Sequence, residues 1–214
     1  MTLKQEEPSS ARPKTRRQAE KEQRYRDLLR AAGRLFGTHG YAAVTLDDIG
    51  TDVGVSGQAI YRHFQGKQDL LGKLLLEVST KLLDGGRRIQ AEHVDVSSRI
   101  DSLISFHVDF ALTSPEIIRV QEQEMPQLRE ADRHRVRQMQ REYIDIWGQT
   151  MTEIHPSISR PELRTRIHGV FGLINSTARS MKRSDAQPPS AQDALRSAAT
   201  LRTMARAAVD ADAS

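Results

Sequence analysis

The chain has 214 residues, 37% hydrophobic and 28% charged, with no cysteine. That length suits one sizeable domain or a small domain joined to a larger one, and the composition is polar without reaching that of a wholly disordered chain. The missing cysteine excludes disulfides, thiolate metal sites and cysteine nucleophiles, and no run of eighteen apolar residues offers a membrane span.

The net charge of +4 is unevenly placed: residues 1–67 hold 12 Lys and Arg against 8 Asp and Glu, and the remainder holds 20 against 20. Such asymmetry fits a basic N-terminal module for a polyanion, although an accident of solvated surface would look the same on charge alone. The opening MTLKQEEPSS lacks the apolar core of a signal peptide, so a cytoplasmic protein with no membrane partner is the expectation.

Residues 1–19 mix prolines, serines and the basic run Arg12 to Arg17, with almost nothing to bury, and read as a disordered basic arm. That arm either reaches DNA or is a solvated tail. From Glu20 the apolar residues Tyr25, Leu28, Leu29, Ala32, Leu35 and Phe36 return at intervals of three and four, which predicts an amphipathic helix stopped at His39-Gly40. Thr45 is placed to cap a second helix, with Asp47 and Asp48 at the positive end of its dipole and Gly54 at its close. Ser56 is placed to cap a third helix through Phe64, with Ile60 and Phe64 inward and Gln58, Tyr61, Arg62 and His63 outward.

Beyond Lys67 a long helix carries Leu71, Leu74, Leu75, Val78 and Leu82 and is expected to end at Gly85-Gly86. Later helices are predicted over 97–112, 115–123, 129–155, 161–181 and 191–209, with Ser114-Pro115 as a cap and first-turn proline. No alternation lasts long enough to suggest a strand. The chain therefore reads as all-α with about nine helices: an arm (1–19), a helix-turn-helix unit (20–66) and a larger helical unit (67–214).

Two short helices joined through Gly54 present the outer face of the second to a major groove. Gln58 suits paired hydrogen bonds to adenine and Arg62 suits guanine, while Tyr61, His63 and Lys67 can reach phosphate. The same pattern could be two packed helices with a polar surface. Thr45-Leu46-Asp47-Asp48-Ile49, Val53-Gly54-Val55-Ser56, Ile60-Tyr61-Arg62-His63-Phe64, Lys67 and Asp69-Leu70 together resemble the N-terminal DNA-binding domain of the TetR/AcrR family of bacterial transcriptional regulators. Leu35-Phe36-Gly37-Thr38-His39-Gly40-Tyr41 matches as well, so the resemblance covers roughly residues 22–72.

The resemblance implies a homodimer whose first three helices bind double-stranded operator DNA and whose remaining helices bind a small-molecule effector and dimerise. It implies that Ser56, Gly57, Gln58 and Ala59 enter the groove, that Tyr61, Arg62 and His63 contact bases or phosphate, that Lys67 meets phosphate and that Thr45 offers its hydroxyl or the helix N-terminus. Gly57 and Gln58 depart from the common pattern, which moves base readout one position along.

In the larger unit, Leu163, Ile167, Val170, Ile174, Ala178 and Met181 form one helical stripe, and Ala194, Ala198, Leu201, Ala205 and Ala208 another. These stripes are either the dimer interface, through the last two helices, or the end of the subunit core. His107, Phe110, Tyr143, Trp147, Phe171 and Asn175 are polar or aromatic residues on apolar faces, candidates for the effector pocket if they are not plain core. The seven histidines show no ligand spacing and no carboxylate pair or nucleophile stands out, so a non-enzyme without metal or cofactor is expected.

The function read from this is a ligand-responsive homodimeric repressor, released by a small hydrophobic molecule. The run Gln121-Glu122-Gln123-Glu124-Met125-Pro126 loosely resembles family members tied to acyl-CoA, for which Arg87, Arg88, Arg133, Arg135 and Arg137 could hold phosphates. The alternative is an architectural or constitutive DNA binder with no effector.

Overall fold

The computed structural model describes residues 15–181 and 190–211, apart from the side chains of 177–179 and 181. Helix α1 spans Arg16–His39, and Thr15 caps it by accepting from the Gln18 backbone while the Gln18 side chain accepts from the Thr15 N–H. This box starts the helix four residues before Glu20, so Arg16 and Arg17 belong to α1 rather than to an arm; Arg12 and Lys14 lie outside the described residues.

The next two helices follow their local signals. Helix α2, Leu46–Val53, is capped by Thr45 and closed by Gly54, whose φ of 74° is the left-handed conformation. Helix α3 is only Gly57–Ile60, capped by Ser56. From Tyr61 to His63 the bonds tighten to three-residue turns, with the Arg62 N–H donating to the Ala59 oxygen and the His63 N–H to the Ile60 oxygen. The predicted helix through Phe64 is therefore one α-turn followed by a tighter coil.

Helix α4 runs Lys67–Glu92, straight through Gly85-Gly86. The two glycines do not stop it, because both are buried where other helices crowd in. A Cβ at Gly85 would fall inside the ring of Phe106, and one at Gly86 would come 2.9 Å from Tyr143 Cε2. A glycine read as a breaker is here a place of close helix approach.

The remaining helices are α5 (Val96–Thr113), α6 (Pro115–Glu124), a 3₁₀ turn at Met125–Gln127, α7 (Glu130–Ile154), α8 (Arg160–Met181) and α9 (Ala191–Asp210). Helices α4 and α7 run parallel and in register: Gln68 bonds to Gln127, Thr80 to Met139 and Gln90 to Gln149, each pair 59 residues apart. At their far end the buried Arg99 ties the α4–α5 turn to α7, bonding to Glu153 at 2.6 Å and to the carbonyl oxygens of His93 and Val94.

Leu163, Ile167, Val170 and Ile174 are 3% exposed or less within a single chain, and Ala198, Leu201 and Ala205 are buried beside them. These stripes complete the subunit core and are not the surface a second subunit would meet. The Ala178 and Met181 side chains lie outside the described ones, and Ala194 is exposed. Helix α9 is fixed to α5 by Arg202 with Asp109 at 2.6 Å and by Arg206 with Asp101 at 2.8 Å.

Candidate functional site

The head is built by α1, α2, α3 and the start of α4. Leu28, Ile49, Ile60, Phe64, Leu70 and Leu71 fill its interior, so the polar residues between them turn outward. Ser56, Gln58, Tyr61 and Arg62 are exposed, Tyr61 at 61%. An exposed tyrosine between Gln58 and Arg62, on a coil pinned from beneath by Ile60 and Phe64, is a surface shaped to meet another molecule.

Three of the predicted DNA contacts are also part of the head's own packing. Gly57 is buried, and a Cβ there would collide with the Asp47 carboxylate, so α3 lies tight on the first turn of α2 and Gly57 supplies backbone alone. The Thr45 hydroxyl is committed to the α2 cap, donating to Asp48 Oδ2 at 2.7 Å and accepting from the Asp48 N–H; its donation, with that of the Thr45 backbone N–H, holds the Asp48 carboxyl below its usual range. It has no proton to spare for phosphate. Ala59 is half-buried against the head.

Lys67 is half-buried, with its ammonium 4.3 Å from the centroid of the Tyr41 ring and donating to the Ala42 oxygen at 3.4 Å. Burial lowers its pKa against the opposing pull of Glu124 and Asp48. The contact aims the charge at the edge of the head without neutralising it. His63 is also half-buried; burial lowers its pKa, and Lys21, Arg24, Arg62 and Lys73 push the same way. Lys21, Arg24 and Arg62 lie beside the exposed turn, while Lys73 is paired with Asp69 at 2.9 Å.

In the body, all six side chains proposed for the effector meet. His107 and Phe171 stack with centroids 4.5 Å apart, Trp147 meets Phe171 edge-on at 5.0 Å, and Tyr143 lies nearly parallel to Phe171 at 5.9 Å. Phe110 closes one side of His107 at 6.1 Å, and His107 Nε2 bonds to Asn175 Oδ1 at 3.2 Å. They come in pairs three or four residues apart on α5, α7 and α8, and no sequence spacing relates one helix's pair to another's. Burial lowers the His107 pKa to about 4 against the Asn175 hydrogen bond, and burial raises that of the Tyr143 phenol. Both groups are therefore neutral at physiological pH.

Residues 28–74 match the model of bacterial regulatory proteins, tetR family. The chain carries the tetR-family N-terminal domain. The nucleoid occlusion factor SlmA of Marinomonas sp. (strain MWYL1) is 28% identical over 100 residues, 47% of this chain and 51% of its own length. The chain spans about half the length of the curated relatives it matches. A TetR-family transcriptional regulator from Bordetella parapertussis 12822 shares the fold at a TM-score of 0.72 and 21% identity, over 85% of this chain and 93% of that one. The regulator FadR from Bacillus subtilis, in complex with stearoyl-CoA, shares it at 0.62 and 19% identity, over 85% and 97%.

The tetR-family head is clasped to the body by residues that sequence patterning did not single out. A Cβ at Gly37 would come 2.5 Å from Glu116 Cβ, and Arg119 donates to the Gly37 oxygen at 2.6 Å. The Tyr41 N–H donates to Glu124 Oε1 at 3.0 Å. Glu124 thus belongs to a head-to-body joint, a structural role for the run Gln121 to Pro126. Arg87 is paired with Glu142 at 2.7 Å and Arg133 with Glu130, while Arg88, Arg135 and Arg137 lie on exposed faces.

Proposed function

We propose that this chain is a homodimeric DNA-binding transcriptional repressor released from its operator by a small hydrophobic effector. The observation that carries the DNA half is the exposure of Gln58, Tyr61 and Arg62 on one capped turn beside Lys67 in a positive field. Arg62 and Gln58 read bases, while Tyr61, His63 and Lys67 hold phosphates. In a two-fold dimer the two turns enter successive major grooves, about 34–36 Å apart, of a near-palindromic site.

The dimer forms through the outward faces of α8 and α9. Gly169 and Gly172 on α8 leave open space where a Cβ would stand, and Leu195 and Met204 on α9 are 71% and 47% exposed. Leu195 and Met204 flank the buried stripe of α9 on opposite sides, and the small residues on the outer face of α8 let a second helix approach closely.

The effector site is the cluster around His107, joined to the head through α4: Gly86 touches Tyr143, and the same helix starts at Lys67. An effector that fits better when α4 is displaced changes the spacing of the two heads, and a coupling of about 1–3 kcal/mol changes affinity roughly 5- to 150-fold. The FadR neighbour, described with stearoyl-CoA, supports an apolar effector.

The test is DNA selection on the purified chain followed by titration of the selected site. Alanine at Arg62 and Tyr61 abolishes specific binding and leaves the oligomer intact; retention of the same sequence preference would refute the assignment. The likeness to SlmA favours one second reading, a nucleoid-type binder without an effector. In that case a random duplex competes as well as the selected one.

A further inference from the structure

The effector site proposed above has a geometry that narrows the chemistry of its ligand. His107 and Phe171 lie within 20° of parallel, Tyr143 and Phe171 within 14°, and Trp147 stands near-perpendicular to all three, at 78° to 85°. Phe171 lies near-parallel to both His107 and Tyr143, which are 31° from each other, so a flat molecule that displaced Phe171 would face both rings with the indole edge-on. Phe171 is half-buried where His107, Tyr143 and Trp147 are buried, so it is the ring nearest solvent and the one an entering ligand displaces.

The second observation is an unanswered donor. Trp147 is 0% exposed, and its Nε1–H has no hydrogen-bond acceptor among the described residues. It lies near enough to the Tyr143 oxygen to oppose the rise of the phenol, yet outside hydrogen-bonding geometry. A buried N–H left unpaired costs free energy that an acceptor placed there recovers.

The third is the absence of a charged side chain among the described residues of the cluster. Phe110, Tyr143, Trp147, Phe171 and Asn175 are neutral, and the shifts of His107 and Tyr143 arise from burial and a neutral neighbour, with no charged group contributing. A carboxylate or ammonium entering here would lose its water without gaining a counter-ion.

We propose that the effector is an uncharged planar carbonyl compound, held facing the His107 and Tyr143 rings with its carbonyl oxygen accepting from Trp147 Nε1–H. This rests on the cluster being the effector site. The flat body replaces Phe171 in the stack, and the carbonyl supplies the acceptor that Trp147 lacks.

Three compounds of one ring system separate the features: 9-fluorenone (flat, acceptor), fluorene (flat, no acceptor) and fluorene-9-carboxylate (charged). Each is titrated into the full chain by calorimetry, beside palmitoyl-CoA, while the indole N–H resonance is followed; Trp147 is the single tryptophan, so that resonance has one source. The ketone binds about tenfold more tightly than fluorene, as one hydrogen bond requires, and the carboxylate more weakly still. The indole proton moves downfield with the ketone alone. Trp147→Phe brings the ketone to the affinity of fluorene, and because the resonance is read on the unaltered protein the result does not hang on that variant folding. A carboxylate equal to the ketone, a ketone preference that survives Trp147→Phe, or no ketone binding at all overturns the inference. Palmitoyl-CoA shifting the indole signal where fluorenone does not would overturn it and leave the effector site standing. Fluorenone binding while the indole signal stays fixed removes the effector site itself.

Discussion

Gly86 on α4 lies directly against the ring of Tyr143 on α7, leaving no room for a methyl group: a Cβ would approach Tyr143 Cε2 to 2.9 Å and Ile146 Cδ1 to 3.2 Å. Alanine would gain about 1 kcal/mol in helix propensity. Overpacking a buried ring and a fixed helix costs about 1–3 kcal/mol, and the second term wins. Gly86→Ala therefore lowers the thermal midpoint, and it weakens the response of DNA binding to effector because it alters the only side chain of the cluster that α4 touches at this point. Thermal unfolding and a DNA titration with and without effector measure the two effects.

Gly169 and Gly172 give the opposite expectation, since a Cβ at either meets nothing within 4 Å. Within one subunit, alanine at these positions is neutral or stabilises by up to about 1 kcal/mol. Gly172→Arg, by contrast, puts a long charged side chain on the face proposed for dimerisation. Light scattering then reports a monomer with an unchanged helical spectrum, and a dimer that persists would remove α8 from the interface.

Thr45→Ala removes the α2 cap and lowers the stability of the head by about 0.5–2 kcal/mol. Because the hydroxyl is already committed to Asp48, Thr45→Ser preserves both stability and DNA affinity. A large loss of affinity in the serine variant, at full stability, would return Thr45 to a direct DNA contact.

The pH dependence of stability carries the imprint of His107. Its pKa is about 4 in the folded protein against 6.5 in the unfolded chain. Between those values the unfolded chain binds the extra proton, so stability is full above about pH 6.5 and falls as the pH drops toward 4. The span corresponds to a loss on the order of 3 kcal/mol. The difference between the unaltered chain and His107→Gln, followed by denaturant unfolding from pH 7 to pH 4.5, isolates this contribution from that of the carboxylates. Parallel curves would mean that His107 is accessible to protons in the folded state.

Much of the head is legible in the sequence because its signals are local. A threonine or serine three residues ahead of a backbone N–H, or a glycine after the last turn, acts within one turn of helix, and Thr45, Gly54 and Ser56 behave as their spacing indicates. The six effector candidates were legible by a weaker rule, that polar or aromatic groups on apolar faces are carried inward, and that rule says nothing about which of them meet.

The rest is decided by tertiary structure. Gly85-Gly86 reads as a stop in one dimension, yet α4 passes through because Phe106 and Tyr143 occupy the space that side chains would need. The stripes on α8 and α9 state that a face is buried and are silent on whether its cover is the same chain; here it is, with Val170 and Ile174 0% exposed. By itself the sequence determined an all-helical chain with a basic, capped head and an amphipathic body, since capping and periodicity act over a few residues. Only the tertiary structure decided that Gly57 is backbone beneath Asp47, that Glu124 clasps the head at Tyr41, and that an indole N–H is buried beside the Phe171 stack without a partner among the described residues. Those relationships join residues tens of positions apart, and packing alone brings them together.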